Sequence, residues 1–403
     1  MSRSTSASSS LALPRKSLGA LIRWIMRWQV GVLKGDRKAV AQIFLSAVAL
    51  VAVVVLCVLT MRPIPETSVL HPLVPVQAPL NVQNGSYSTI ATMNGSVVTT
   101  ERTFPQYGAF SLPGRLFRLE NKETLGQTSN KDGGSVLVLV VLKDAQSWGD
   151  GRDAGDFFDL LDSFDYPKGK MSVTVLTSST SEFSSVQTHL RRQIRRYSRL
   201  SVLFRDDFST REVVTRENRH ENGLQVNRRR VIARYRNFAV LSTMKDWHQH
   251  VLWVDADVHK IPAGLLSKMI QSGLDVVEPM CVRMKENGKD WYEYDLNAWV
   301  GRRKVRGSIR DTNFVPGDLS VKRMKQFHGK QETFVPLDSV GGTMLYAKAE
   351  VHRQGVLFPV HHVIGSEWGS EGYDGIETEG LCYVAHFLGF RCWGMPNDLI
   401  YHS

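Results

Sequence analysis

The feature that most constrains this chain is a run of 22 residues, 40–61, without a charged side chain. As an α-helix it would span about 33 Å, which matches a hydrocarbon core of about 30 Å. Cleavable signal peptides usually have a shorter apolar core nearer the start of the chain, so a retained anchor is favoured. Residues 39–61 are therefore predicted to be a single transmembrane helix.

Basic charge is concentrated before this run. Residues 1–38 contain eight basic residues and one acidic residue, so +7 of the total formal charge of +11 lies there. Basic charge beside an apolar segment points to a membrane and not to nucleic acid. The positive-inside rule then places residues 1–38 in the cytoplasm and the rest of the chain in a lumen. Within the tail, residues 18–33 are predicted either to lie as a helix on the membrane or to be a disordered sorting segment.

Residues 62–132 are predicted to be an extended lumenal stem. Seven of the fifteen prolines fall there, among many Ser, Thr, Asn and Gly residues, and such a composition buries little apolar surface. Asn84 and Asn94 each begin an Asn-Gly-Ser glycosylation acceptor, as expected of an exposed lumenal segment. Cysteines 281, 382 and 392 would be lumenal, and Cys382 with Cys392 is the disulfide pair that we expect.

Residues 133–403 are predicted to form one α/β domain. Apolar runs alternate with stretches of helical spacing, which is typical of βαβ units and of a mostly parallel sheet with helices on both faces. The predicted strands are 135–142, 172–176, 201–204, 251–254, 275–280 and 342–347. The predicted helices are 156–164, 181–197, 222–247, 262–272 and a last one ending at 388.

Two aspartates end the apolar strand 251–254. Residues i and i+2 of an extended chain point to the same face, so Asp255 and Asp257 can aim at one point. Ligands of open α/β sheets bind at the carboxyl ends of strands, where this pair would lie. Carboxylate oxygens suit Mg²⁺ or Mn²⁺, which complete their shell with substrate phosphates. An Asp-x-Asp triplet also arises by chance about once in a chain of this length, as part of an ordinary turn.

Five ordered blocks make the interpretation more specific. They resemble the fungal Golgi mannosyltransferases that form the mannan polymerase complexes, and the resemblance covers residues 133–403. The blocks are RRVIARYRN (229–237), VLWVDAD (251–257), YDLNAW (294–299), VPLDSVGG (335–342) and ETEG (377–380).

This resemblance implies a fold, a reaction and a location. The fold is the GT-A type of nucleotide-diphospho-sugar transferase, the donor is GDP-mannose, and the metal is Mn²⁺ or Mg²⁺. The reaction extends the α-1,6-linked mannan backbone of a mannosylated N-glycan with retention of configuration. The protein would be a single-pass type II Golgi membrane enzyme that assembles with related subunits.

The resemblance also implies roles for particular residues. Asp255 and Asp257 would bind the metal together with His402. The residues expected at the donor's phosphates and around its pocket are Arg234, Arg236 and Asn237, although a solvated helix face is an equal alternative for Arg236. Donor or acceptor hydroxyl groups would be bound by Asp295 and Asn297. The carboxylates expected near the anomeric carbon are Asp338, Glu377 and Glu379.

Two questions stay open at the level of sequence. Retention needs either a carboxylate nucleophile or attack from the face of the leaving group, and no motif decides between these routes. A largely non-catalytic scaffold subunit of the same complex is the alternative to an active enzyme. The presence of Asp255, Asp257 and His402 together favours the enzyme.

Overall fold

Long runs of apolar and β-branched residues build one large sheet in this protein. A computed structural model describes residues 87–107, 112–208, 222–301, 321–361, 363–364 and 374–403. The predicted tail, the predicted transmembrane helix and residues 62–86 lie outside these ranges. Within them, no helix has the length and apolar character needed to cross a membrane.

The strands lie at the following positions: β1 (Ser88–Asn94), β2 (Val97–Phe104), β3 (Gly114–Asn121), β4 (Val136–Leu142), β5 (Met171–Thr177), β6 (Arg199–Phe204), β7 (His250–Val254), β8 (Val258–Lys260), β9 (Val276–Met284), β10 (Trp291–Glu293), β11 (Trp299–Val300), β12 (Lys322–Arg323), β13 (Val335–Leu337), β14 (Met344–Lys348), β15 (Val363–Ile364), β16 (Asp374–Gly375) and β17 (Cys392–His402). The helices are α1 (Lys122–Gly126), α2 (Ser129–Asp132), α3 (Ala154–Asp162), α4 (Thr180–Gln193), α5 (Asn222–Thr243), α6 (Leu265–Gln271), α7 (Ala349–Arg353) and α8 (Thr378–Phe387).

The main sheet is mixed, with a parallel centre. Its order is β1-β2-β3-β6-β5-β4-β7-β14-β9-β17-β13, with β10 beside β9 and β8 beside β17. Strands β6, β5, β4 and β7 run parallel to one another, which confirms the predicted parallel arrangement for this part. Strand β14 lies antiparallel between β7 and β9. The predicted mostly parallel sheet is therefore correct for the centre, and β17 also runs parallel to β9. The pairs formed by β1, β2, β3, β13 and β14 are antiparallel.

Both faces of the sheet are covered, as expected for a parallel centre. The valines of β4 (Val136, Val138, Val140) belong to one buried cluster with side chains of α3, α4 and α6. Its leucines (Leu137, Leu139) belong to a second cluster with side chains of α5 and α8. A strand buried on both faces needs apolar residues at every position, which explains the uninterrupted run 136–142.

The predicted boundary between stem and domain is wrong for the described residues from 88 to 132. Strands β1 and β2 form a hairpin, β2 pairs with β3, and β3 pairs with β6 in the main sheet. Phe117 and Leu119 of β3 are 1% and 2% exposed. Five of the seven prolines in this stretch precede residue 80, so the composition of the whole stretch concealed three strands at its end.

The predicted disulfide is confirmed. Cys382 of α8 is bonded to Cys392 of β17, with 5.8 Å between the Cα atoms. Cys281 of β9 is a free, buried thiol. The bond therefore joins the last described helix to the last strand.

Candidate functional site

Asp255 and Asp257 follow β7 directly, at the carboxyl end of the parallel strands. The amide of Asp255 donates to the carbonyl oxygen of Thr343 at 2.8 Å, just before β14 begins. The main chain of the acidic pair is therefore fixed to the neighbouring strand, while part of the Asp255 side chain remains open to solvent.

Arg236 holds Asp255 from behind. Its Nη2 donates to Asp255 Oδ1 at 3.1 Å and to the carbonyl oxygen of Gly342 at 3.0 Å. Its Nη1 lies 2.8 Å from Glu377 Oε1. The guanidinium group is buried, so its charge is balanced by two carboxylates and not by water. In this structure Arg236 positions Asp255. Its predicted contact with the donor's phosphates stays a prediction.

His402 reaches the acidic pair from the end of β17. Its Nε2 lies 3.1 Å from Asp257 Oδ2, and its Nδ1 lies 2.8 Å from the main-chain oxygen of Ser403. Both partners offer acceptor oxygens, which favours hydrogen on both ring nitrogens. Burial opposes a charge on the ring, but the hydrogen bonds to Asp257 and Ser403 and the charges of Asp257 and Asp255 together outweigh burial and raise the pKa of His402. The ring of Tyr294 stacks on this imidazole, with 3.8 Å between centroids.

Asp295 supports the same site through residues 341–343, which we call the 341–343 segment. Its Oδ2 accepts from the amide of Gly342 at 2.8 Å and from the hydroxyl of Thr343 at 3.1 Å. A Cβ at Gly341 would lie 1.9 Å from the same oxygen. Gly341 is therefore required by close approach of a carboxylate and not by an unusual turn.

Arg229 gathers two further predicted residues on the same face of α5. It precedes Arg236 by seven residues, or two helical turns. Its Nη1 donates to Glu379 Oε2 at 3.2 Å, and its Nη2 donates to Asn297 Oδ1 at 3.4 Å. Glu379 is fully buried, so this ion pair anchors the start of α8 to α5.

Three predicted residues make other contacts. Arg234 is exposed, with its guanidinium carbon 4.3 Å from the ring centroid of Phe208. Asn237 donates to and accepts from the main chain of Phe358, both at 2.9 Å. Asp338 accepts from the amide of Gly301 at 2.8 Å. Residues two apart on a helix point in different directions, which separates Arg234 from Arg236.

Glu377 has a strained main chain. Its φ of 60° and ψ of −128° place it outside the regions usual for a side-chain-bearing residue. Among the described residues it is the one non-glycine residue with a positive φ. Its carboxylate binds Arg236 and accepts from the hydroxyl of Thr378 at 3.0 Å. Such strain persists only where surrounding contacts hold it, and it is concentrated at functional sites.

The site has more acidic than basic groups. Partial loss of hydration raises the pKa of Asp255 above its usual range; Arg236 opposes the rise and Asp257 adds to it. The carboxyl groups linked by these contacts outnumber the basic groups by five to three: Asp255, Asp257, Asp295, Glu377 and Glu379 against Arg229, Arg236 and His402. A divalent cation would relieve this imbalance.

The donor set fits Mg²⁺ or Mn²⁺, although it is not preassembled. Among the described residues, no group of three or more His, Cys, Asp or Glu side chains is arranged as a metal cluster. Asp255 is turned toward Arg236, and His402 is bonded to Asp257. These cations commonly bind through one or two carboxylates plus substrate phosphates, so a half-built site is compatible with them. The three metal ligands stay a prediction.

Four residues of the site had no predicted role: Glu278, Arg229, Tyr294 and Thr343. Glu278 interrupts the otherwise apolar run VVEPM of β9, and a carboxylate at such a position was the available signal. Arg229 and Tyr294 lie inside the recognised blocks, but only their contacts show what they do.

Asp255, Asp257 and the side chains linked to them form an acidic, partly exposed site, called the cleft below, at the carboxyl edge of the parallel strands. In an open α/β sheet this edge is where ligands bind. A sequence model of the Anp1 family matches residues 116–362, and the chain belongs to this family.

Curated relatives of this chain are named as mannan polymerase subunits. Mannan polymerase complex subunit mnn9 of Schizosaccharomyces pombe is 30% identical over 259 residues, which are 59% of this chain and 73% of that protein. The mannan polymerase II complex ANP1 subunit of Saccharomyces cerevisiae is 27% identical over 300 residues, 68% of this chain and 56% of that protein. The matches thus leave between a quarter and a half of each relative uncovered.

Among solved structures, the mannosyltransferase PcManGT of Pyrobaculum calidifontis, in complex with GDP-Man and Mn²⁺, is similar with a TM-score of 0.38 and 14% identity. That similarity covers 66% of this chain and 56% of PcManGT. Similarity at this level does not indicate what this chain binds.

Proposed function

We propose that this protein is a divalent-metal-dependent mannosyltransferase of GT-A type. It transfers mannose from GDP-mannose, with retention of configuration, to the α-1,6-linked mannan backbone of N-glycans. It works as one subunit of a hetero-oligomeric complex, as the names of its relatives suggest. The observation that carries the proposal is the convergence of Asp255, Asp257 and His402 at the end of β7 in a chain of the Anp1 family.

The residues of the cleft would have different roles in binding the metal and the donor. A bound Mn²⁺ or Mg²⁺ would neutralise the diphosphate and the charge that develops on GDP as the glycosidic bond breaks. Asp255 and Asp257 would hold it, and Arg236 keeps Asp255 in place. On binding, His402 would release the proton of Nε2, while the hydrogen bond from Nδ1 keeps the ring oriented.

Glu377 and Glu379 are occupied by arginines in this state, so each supports the cleft before it meets any substrate. A role for either at the anomeric carbon would require the Arg236 or Arg229 pair to open. Both routes to retention are compatible with this arrangement.

We also propose the Golgi orientation that the charge asymmetry around residues 39–61 favours. Asn94 of the acceptor sequence is exposed at the end of β1, beside the two-residue turn of the first hairpin. It is therefore accessible for glycosylation in a lumen. Protease added to sealed microsomes should remove only the tail, and digestion of the folded domain in intact vesicles would refute this orientation.

Transfer of labelled mannose by the full-length chain in detergent tests the proposed activity. With an α-1,6-linked mannose oligosaccharide as acceptor, transfer should need Mn²⁺ and stop with a chelator. Asp257→Ala should lower kcat/KM at least about a hundredfold, the scale of losing a few kcal/mol of transition-state electrostatics.

The exposed Asp246, in the turn before β7, provides the matched control. Asp246→Ala removes a carboxylate of the same size outside the cleft and should transfer normally. If Asp257→Ala transfers mannose as well as Asp246→Ala does, the metal role is refuted and the scaffold subunit becomes the better proposal.

A further inference from the structure

Glu278 is a carboxyl group buried within an apolar strand. It lies in β9 and is 1% exposed. Its Oε2 accepts from the amide of Gly341 at 2.7 Å, and its Oε1 has no hydrogen-bond partner in the part of the chain that the structure describes. Burial of such a group costs free energy, which the contact with Gly341 offsets only in part.

The amide that Glu278 holds belongs to the segment that carries the site. Within the 341–343 segment, the next amide, of Gly342, donates to Asp295. The carbonyl of Gly342 accepts from Arg236, and the carbonyl of Thr343 accepts from the amide of Asp255. Three successive residues thus link Glu278 and Asp295 on one side to Arg236 and Asp255 on the other.

We propose that Glu278 is a positioning residue for Asp255, one of the two proposed metal-binding aspartates, because its carboxyl group fixes the 341–343 segment that aligns Asp255 and Arg236. The role rests on the proposed function, since it matters for catalysis only if the cleft binds a cation and a diphosphate. Glu278 itself contacts neither Asp255 nor Asp257 in the described contacts and acts through the main chain.

The state of the carboxyl group suits this role. Burial, together with the nearby Asp295, raises the pKa of Glu278 well above its usual range. Two carboxyl groups hold adjacent amides, and a neutral Glu278 avoids repulsion between two buried charges. A neutral side chain of the same length should therefore serve equally well.

Three variants of the full-length chain test the proposal. Glu278→Ala removes the contact with Gly341, whereas Glu278→Gln keeps an acceptor oxygen on a neutral side chain. The control is Glu293→Ala on β10, because Glu293 is also buried and also accepts a main-chain hydrogen bond, from Lys325 at 3.0 Å. If Glu278→Ala does not fold, Glu278→Asp replaces it, since a side chain shorter by one methylene also withdraws from Gly341.

The first measurement is amide hydrogen exchange of peptides covering residues 341–343, without metal or substrate. Glu278→Ala should exchange at least about tenfold faster than wild type, whereas Glu278→Gln and Glu293→Ala stay within about threefold. The second is calorimetric titration with Mn²⁺ in the presence of GDP. Glu278→Ala should bind at least about tenfold more weakly and lose kcat with little change in the acceptor KM, and Glu278→Gln should restore both.

Unchanged exchange in Glu278→Ala would overturn the proposal, and so would a Glu278→Gln variant as impaired as Glu278→Ala. Equal loss of Mn²⁺ binding in Glu293→Ala would reduce the effect to general destabilisation. A wild-type chain that neither binds Mn²⁺ nor transfers mannose would refute the proposed function instead, while the exchange measurement still decides whether Glu278 fixes the segment.

Discussion

At Gly342, the space that a side chain would fill is taken by the guanidinium group of Arg236. A Cβ there would lie 2.5 Å from Nη1 and 2.6 Å from Nη2. Arg236 is itself buried, and it cannot swing away without breaking its ion pair with Asp255 or with Glu377. A single methyl group at this position therefore acts on the acidic pair through the arginine.

Gly342→Ala should consequently lose at least about tenfold in transfer and about 1–3 kcal/mol in stability, the usual cost of overpacking. Gly126→Ala, at the end of α1, is the control, since nothing lies within 4 Å of its added Cβ. Transfer assays and urea unfolding of both variants check this. Wild-type values for both quantities in Gly342→Ala would contradict the described packing.

Residue-level prediction from the sequence located Asp255 and Asp257 directly after β7. That both side chains aim at one point stays a prediction, because the two residues lie beyond the strand and contact different partners, Arg236 and His402. Prediction was less successful for helix α5, where Arg234, Arg236 and Asn237 all lay in one recognised block. Their contacts differ because the helix turns by about 100° per residue, and only the position of the sheet determines which of them meets the acidic pair.

Helix α7 and strand β7 meet at a histidine whose surroundings hold it neutral. His352 is 3% exposed, its Nε2 accepts from Trp253 Nε1 at 3.3 Å, and its Nδ1 donates to the carbonyl of Val356 at 2.8 Å. A second proton would face the Trp253 N–H. Burial accordingly lowers the pKa of His352 to about 4.

His352 should make the folded protein less stable as the pH falls. The unfolded chain binds a proton near pH 6.5, and the folded chain binds it only near pH 4. Stability from this source is complete above pH 6.5 and is lost as the pH falls from 6.5 toward 4, by about 1.4 kcal/mol per pH unit. Between pH 7 and pH 5, wild type should therefore lose about 2 kcal/mol more than His352→Gln. Urea unfolding at both pH values measures the difference, and equal losses would show that His352 takes up its proton while folded.

Strands that are buried on both faces could be predicted from the sequence, whereas an exposed strand such as β1 could not. The predicted strand 135–142 corresponds to β4 because every position is apolar. In β1 the burial pattern is exposed throughout, and its sequence STIATMN contains no large apolar alternation. Such a strand is set by its neighbour β2 and leaves little trace in composition.

For the molecule as a whole, the location of β3 determines where the folded part can begin. Strand β3 covers β6, all of whose residues are buried. A chain that starts at residue 133 would expose this apolar strand as an open edge. A chain that starts at residue 81 keeps the entire compact unit Asn81–Ser403.

The chain that starts at residue 133 should therefore aggregate, whereas the chain that starts at residue 81 should stay soluble and unfold cooperatively. Size-exclusion chromatography and near-ultraviolet circular dichroism of the two chains check this. A soluble shorter chain with native near-ultraviolet signal would mean that β1–β3 are an accessory to the fold.

The bond between Cys382 and Cys392 has a consequence for how the protein matures. It joins α8, which begins beside Glu377 and Glu379, to β17, which ends at His402. Disulfides form in oxidising compartments and are kept reduced in the cytosol. With the orientation proposed above, His402 and the arginine-binding carboxylates would come under one covalent constraint only in an oxidising compartment. Competence of the proposed site would then be set by the compartment in which this bond forms.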